Sequence, residues 1–230
     1  MSNITYDYIK TNSDVQTYIK FADEALSAIG YTEHSKAHVE RAATNAFMIL
    51  NTLGYDARTC ELAQIAAYLH DIGNVVNRVG HAQTGAVMAF RLLDNLGMPA
   101  EEISRVISAI GNHDEGSASP VTPIAAALII ADKSDVRRTR VCGENGQPFV
   151  PSSENLAADI HDRVNYAVES SELMFTNDNK ELILSLKIDL KISSVMEYFE
   201  IFLSRMSVCR TAAHSLGVTF GVVINNSRIL

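Results

Sequence analysis

Five of the seven histidines in this 230-residue chain, His34, His38, His70, His81 and His113, fall near the ends or first turns of segments with helical apolar periodicity. His34 and His38 stand four apart, which puts both imidazoles on one face of a helix. Two acids occur where acids are costly. The stretch "AQIAAYLHDIG" carries an apolar segment straight into His70 and Asp71, and "AAALIIAD" ends another on Asp132. An unpaired carboxylate buried in such a place costs several kcal/mol, so each needs a partner. Imidazoles and carboxylates drawn together from several helices form the donor set that Fe, Mn, Co or Zn accepts. The three cysteines, Cys60, Cys142 and Cys209, are scattered and lack C-x-x-C spacing, so no thiolate metal site is expected. The partner these acids call for is a divalent metal.

Single histidines carry less. A lone imidazole at a helix end more often caps the helix or satisfies a buried hydrogen bond, and His161 and His214 are read that way. His34, one turn before His38, either donates a proton to a leaving oxygen, holds a phosphate, or is a surface residue. Nearby cations invite the same weighing. Lys133 follows Asp132 directly, and Arg137, Arg138 and Arg140 come next in "DVRRTR". Arginine forks suit phosphate, yet Arg137 and Arg138 have Asp135 close by as an ordinary partner. Arg41, three residues after His38, either joins them or braces the site by an ion pair.

Helices must position these groups, and the punctuation supplies them. Ser13 caps a helix carrying Val15, Ile19, Ala22, Leu26 and Ile29 up to Gly30. A second starts near Thr32 or Glu33 and carries Val39, Ala42, Ala46, Ile49, Leu50 and Leu53 to Gly54. Asp56 caps a third that ends at Gly73. After a loop over 74–80, a fourth runs over 81–96. Pro99 suits the first turn of a fifth reaching Asn112, and Pro123 opens a sixth running towards Arg138. Residues 141–155 concentrate glycine, proline and serine and read as a loop or linker. Beyond them come a short helix over 156–166 and two β-prone runs around a turn at Asn177-Asp178-Asn179. A long helix over 194–216 stops at Gly217, and "VTFGVVIN" reads as a last strand. The expected architecture is mainly α. A helical metal-binding domain occupies 1–150, and a small α+β module over 151–230 combines an antiparallel sheet with the long helix.

A hydrophobic fraction of 47% with 20% charged residues allows a sizeable core and argues against disorder. The net charge of −8 gives no long-range attraction to nucleic acid or an anionic membrane, so neither is an expected partner. The longest apolar run, 124–131, is too short to span a bilayer, and "MSNITYDYIK" lacks a cationic-then-apolar signal pattern. With its scattered cysteines, the chain is expected to be cytoplasmic. The faces of the long C-terminal helix either shape the substrate mouth or form a homodimer contact, and the sequence does not choose between them.

"HVERA" at His38, "YLHDIG" at His70-Asp71 and "IIADKSD" at Asp132 resemble the H…HD…D signature of the HD-domain metal-dependent phosphohydrolase superfamily, over roughly residues 30–140. The resemblance implies an HD-domain helical bundle in which His38, His70, Asp71 and Asp132 hold a first metal. His81 in "GHAQTGA" and His113 in "IGNHDEG" resemble the extra ligands of the binuclear branch, with Asp71 bridging to a second metal. One or two divalent ions are implied, Fe or Mn foremost, with Mg, Co, Ni or Zn as alternatives. "NHDEG" lacks the double histidine and the Gly-Tyr-Pro of the cyclic-dinucleotide phosphodiesterases.

The function expected on this basis is metal-dependent hydrolysis of a phosphoester, a nucleotide or another small phosphorylated metabolite. Asp71, His34 and Lys133 are the expected catalytic groups, and Arg41, Lys133 and Arg137 the expected contacts to substrate phosphate. Two other readings share the same ligands: an HD-type di-iron oxygenase, and a non-catalytic nucleotide-binding sensor.

Overall fold

The computed structural model describes residues 4–29, 36–141, 149, 151–152, 156 and 159–230. His34, Gly30, the expected helix start at Thr32 or Glu33, Cys142 and most of the expected linker lie outside them.

The chain begins with α1 (Tyr6–Thr11) and α2 (Ser13–Ala28). Asn12, one residue before Ser13, caps α2 through its side chain, which accepts from the backbone N–H groups of Asp14 and Val15. Then come α3 (Lys36–Thr52) and α4 (Ala57–Leu69), the latter capped by Asp56. A 3-10 turn (Ile72–Val75), α5 (His81–Asn95), α6 (Ala100–Gly111) and α7 (Pro123–Lys133) complete the helical part. Pro99 stands at the N-cap of α6 rather than inside its first turn.

Every residue of α7 after Pro123 is buried, so it has no polar face to show water and serves as the central helix. It packs against α3, α4 and α6 on its various sides. Two helix ends differ from the periodicity reading, and both differences serve the centre of the bundle. The third helix stops at Leu69 rather than Gly73, because the chain turns there and continues as the 3-10 turn. The sixth stops at Lys133 rather than near Arg138. The chain then folds inward, bringing Asp135 against His38, and a second 3-10 turn (Arg138–Arg140) follows.

The C-terminal part opens with α8 (Ile160–Ala167), which runs directly into β1 (Val168–Phe175). β1 pairs antiparallel with β2 (Glu181–Ile188), and the turn between them holds Asn179 at positive φ, a conformation that asparagine tolerates. The long helix α9 (Val195–Ser215) leads to β3 (Thr219–Ile224), and a short β4 (Ser227–Arg228) closes the chain.

The sheet order is β1-β2-β3-β4, and β3 lies parallel to β2. The expectation of an all-antiparallel sheet is therefore corrected: the sheet is mixed. The 21 residues of α9 form a crossover that returns the chain to the same end, which is what parallel pairing requires. Tyr198, Phe202, Met206, Cys209 and Ala213 recur at helical spacing along the buried stripe of α9. That helix packs against both α7 and β3, so one hydrophobic core runs from the bundle into the sheet. No helix among the described residues is long and apolar enough to cross a membrane.

Candidate metal centre

Six side chains from five places in the sequence converge at the middle of the bundle. His38 comes from the first turn of α3, His70 and Asp71 from the end of α4, His81 from the first residue of α5, His113 from just beyond α6, and Asp132 from the last turn of α7. All six are buried.

The approach of the α4 end to α5 depends on two glycines. A Cβ on Gly73 would collide with the carbonyl oxygen of His81 and would stand 2.5 Å from the backbone nitrogen of Gly85. A Cβ on Gly85 would lie 3.1 Å from the carbonyl oxygen of His70. The glycine of "HDIG" is therefore neither a helix stop nor a left-handed residue. It permits close backbone contact between the turn carrying Asp71 and the helix carrying His81.

In each histidine the Nδ1 edge is already engaged. His70 Nδ1 lies 2.7 Å from the carbonyl of Ala67, His81 Nδ1 3.0 Å from that of Arg78, and His113 Nδ1 2.6 Å from that of Ile110. A carbonyl only accepts, so Nδ1 carries the proton in all three. His38 Nδ1 stands 2.8 Å from Asp135 Oδ2, with the same result. All four imidazoles therefore turn Nε2 towards the other donors. Those nitrogens are close: His38 and His70 at 3.3 Å, His81 and His113 at 3.2 Å. Facing lone pairs at that range repel unless a cation or a proton stands between them.

Asp71 divides the cluster. Its Oδ2 lies 3.3 Å from His70 Nε2 and 3.7 Å from His38 Nε2, while its Oδ1 lies 3.5 Å from His81 Nε2 and 4.0 Å from His113 Nε2. Asp132 Oδ1 joins the first half, at 3.3 Å from His38 and 3.7 Å from His70. Three overlapping groups have ligand atoms within 4.8 Å of one another: His38, His70 and Asp71; His70, His113 and Asp132; Asp71, His81 and His113. This nitrogen and oxygen set, two carboxylates with four imidazoles, fits divalent transition metals.

The titration behaviour follows from the same crowding. Burial alone would lower the His70 imidazole, but the carboxylates of Asp71 and Asp132 push it up to about 10. Burial lowers His113 far below its ordinary value, and the charges of His70 and Lys133 add to that. Asp132 would be raised by burial, yet the Lys133 ammonium and the two histidines hold it well below the usual carboxylate range. With protein atoms alone, the proton on His70 offsets the negative charge.

The remaining expected site residues fall in different places. Lys133 is buried, with Nζ 2.5 Å from Asp132 Oδ2. Arg41 and Arg137 do not reach the Nε2 side of the cluster. They lie behind His38, with Nε atoms 3.2 Å and 3.0 Å from Asp135 Oδ1. Arg41 thus has the bracing position, and Arg137 the ordinary partner, that the sequence offered as alternatives. His34 lies outside the described residues.

Three contributors were not singled out by sequence. Asp135 anchors His38, and it stands in plain view in "IIADKSD". Asn74 donates from Nδ2 to Asp71 Oδ1 at 2.9 Å, fixing the acid that divides the cluster. Arg78 places Nη1 3.3 Å from His81 Nε2 and Nη2 3.9 Å from Asp114 Oδ1. As the one cation in the 74–80 loop, it carried a signal that could have been read.

Residues 36–137 match the family model described as the HD domain. The uncharacterized protein MJ1020 of Methanocaldococcus jannaschii is 29% identical over 157 residues, 59% of this chain and 60% of that protein. This chain therefore matches about three-fifths of the length of that curated relative. The crystal structure of a predicted HD superfamily hydrolase from an uncultured Thermotogales bacterium aligns at TM-score 0.43 and 27% identity, over 54% of this chain and 67% of its own. The span that matches the HD-domain model, residues 36–137, supplies all six converging side chains.

Proposed function

We propose that the protein is a metal-dependent phosphohydrolase acting on a small phosphoester, a nucleotide or another phosphorylated metabolite. The observation that carries this reading is the orientation of four histidines whose Nδ1 edges are engaged and whose Nε2 edges meet the two oxygens of Asp71. His38, His70, Asp71 and Asp132 would hold one divalent ion, and Asp71, His81 and His113 a second. Ions in such a centre supply Lewis acidity and activate water for attack on phosphorus.

The chain's own residues prepare the rest. Asp71, oriented by Asn74, offers one oxygen to each half of the cluster. Asp135 holds the His38 ring by its Nδ1 edge, leaving Nε2 turned to the cluster. Lys133 beside Asp132 and Arg78 beside His81 put a cation at either end of the cluster, suited to the charge of a phosphoryl group.

The test is an anaerobic phosphate-release screen over nucleotides and sugar phosphates, run with Mn(II)- and Fe(II)-loaded protein and repeated with Asp71→Ala. The expected result is turnover that is lost, together with metal content, in the variant. Unchanged turnover in Asp71→Ala would overturn the reading. In a parallel aerobic assay, dioxygen consumption without phosphate release would assign the same ligands to an oxygenase, and tight nucleotide binding without turnover would assign them to a sensor.

A further inference from the structure

Among the described residues, four buried side-chain polar atoms have no hydrogen-bond partner, and three of them are arginine nitrogens: Nη2 of Arg137, Nη2 of Arg138, and Nε of Arg41, which still stands in ion-pair range of Asp135 Oδ1 at 3.2 Å. All three side chains line one groove of about 690 Å³, bounded by α3, the 3-10 turn Arg138–Arg140 and β1. Buried donors are rarely left unpaired, because nothing then offsets the lost hydration, and charged donors least of all. Two such nitrogens with no partner, on side chains of one groove that a third arginine also lines, call for an acceptor with several oxygens.

The charge balance agrees. Asp135 is the single buried carboxylate among these arginines. Its Oδ1 accepts from Arg137 Nε at 3.0 Å and has Arg41 Nε at 3.2 Å, while Arg140 Nη1 lies 4.0 Å from its Oδ2. One acid, shared with His38, thus serves three guanidinium groups, and Arg138 adds a fourth to the lining of the groove. Glu169 and Glu172 also line the groove; Glu169 is paired with Lys187 at 2.8 Å, and Glu172 is exposed. The local surplus is positive in a chain whose net charge is −8.

Each guanidinium is also held in place by one edge. Arg138 Nε donates to the carbonyl of Tyr166 at 2.6 Å, and its plane stacks 4.6 Å from the centre of the Tyr166 ring. Arg41 Nη2 donates to the carbonyl of Ser171, and Arg137 Nη1 to the hydroxyl of Thr139. Side chains already held lose little conformational freedom when an anion arrives.

We propose that this groove is a second anion site, which binds a phosphoryl group apart from the metal centre. Three forks offer more donors than the two oxygens of a carboxylate can use, and a phosphoryl group matches them better. Thr44, Asn45 and Ser170 line the same groove and supply neutral polar groups for the remainder of a phosphorylated molecule. The site lies on the Nδ1 side of His38, with Asp135 between, so its occupant stands one carboxylate away from a candidate metal ligand. It also lies on the seam between the helical part and β1. The proposal is independent of the hydrolase reading.

The experiment is calorimetric titration of metal-loaded protein with orthophosphate and with adenosine monophosphate, on wild type, Asp71→Asn, Arg138→Gln and Arg91→Gln. Asp71→Asn is expected to retain one phosphoryl site. Arg138→Gln is expected to weaken that site tenfold or more, and Arg91→Gln, which removes the same charge from an exposed position on α5, to leave it unchanged. Equal affinities for the two probes would identify free phosphate as the occupant, and tighter adenosine monophosphate a phosphorylated metabolite; the phosphoryl chemistry stands in both. If Arg138→Gln does not fold, Arg138→Lys keeps the charge, loses the fork and is expected to weaken the site. A crystal soaked in tungstate is expected to show an anomalous peak among Arg41, Arg137 and Arg138. Loss of all binding in Asp71→Asn, equal weakening in Arg91→Gln, or tungstate found only at the metal centre would each overturn the proposal.

Discussion

Four imidazoles show the same edge to one point because each has its other nitrogen engaged, three by backbone carbonyls and His38 by a carboxylate. The carbonyl partners belong to the chain just before each ring, so no point substitution removes them. Asp135 can be removed. Burial would raise its carboxyl, yet the His38 hydrogen bond and the nearby arginines hold it below the ordinary carboxylate range. Asp135→Asn keeps the shape and removes the charge, leaving His38 Nδ1 with a weaker acceptor. The expected outcome is metal affinity lowered about 10–100-fold, measured by competition with a chromogenic chelator, while cooperative unfolding persists. Unchanged affinity would show that Asp135 does not tune the ring.

At the scale of elements, two junctions decide whether the cluster assembles. The first is the contact of the 3-10 turn with α5 through Gly73 and Gly85. Gly73→Ala forces a methyl group against backbone that cannot rotate away, and a destabilisation of roughly 3 kcal/mol is expected from such overpacking. Chemical denaturation would measure it, and metal content should fall with it because His81 and Asp71 are pushed apart. The second is the start of α9, where Ser194 and Glu197 form a capping box. The backbone N–H of Ser194 foremost, with Arg163 and Ser193, holds the Glu197 carboxyl down to about 2 from an ordinary value of 4.5. A lowered folded-state pKa contributes stability above the unfolded value and loses it as pH falls through the folded one. Glu197→Gln is therefore expected to lower Tm at neutral pH, with the gap to wild type closing between about pH 4.5 and about pH 2. A gap that stays constant with pH would rule out the ionised cap as its source.

On the whole-molecule scale, Asp71 and Asp132 lie buried at the centre of the bundle, where a bound ion would add to the balance that the His70 proton and Lys133 supply. An ion that binds the folded chain alone adds about 2.7 kcal/mol when its free concentration is a hundred times Kd. For a chain of this size that is roughly 5–11 °C in Tm. Chelator treatment should therefore lower the melting temperature by that order, and restoring Mn(II) or Fe(II) should recover it; a Tm indifferent to both would mean that the cluster holds no structural charge. Because α9 packs on α7, whose last turn carries Asp132, loosening should reach the C-terminal part as well.

Much of this was legible from the chain alone. Helical periodicity, the Asp56 cap, the Asn177-Asp178-Asn179 turn and the Gly217 stop are local properties, and local sequence expresses them directly. Asp71 and Asp132 were legible too, since acids at the ends of apolar helices need a partner wherever they are placed, whereas the four histidines as a ligand set followed from the resemblance of their motifs to the H…HD…D pattern. The tertiary structure decided what depends on contacts between distant segments. Among these are the parallel pairing of β3 with β2, the close approach at Gly73, the inward turn that puts Asp135 behind His38, and the removal of Arg41 and Arg137 from the metal side. Periodicity records which face of an element is buried. It carries no record of which neighbour is buried against it, and that neighbour determines the chemistry.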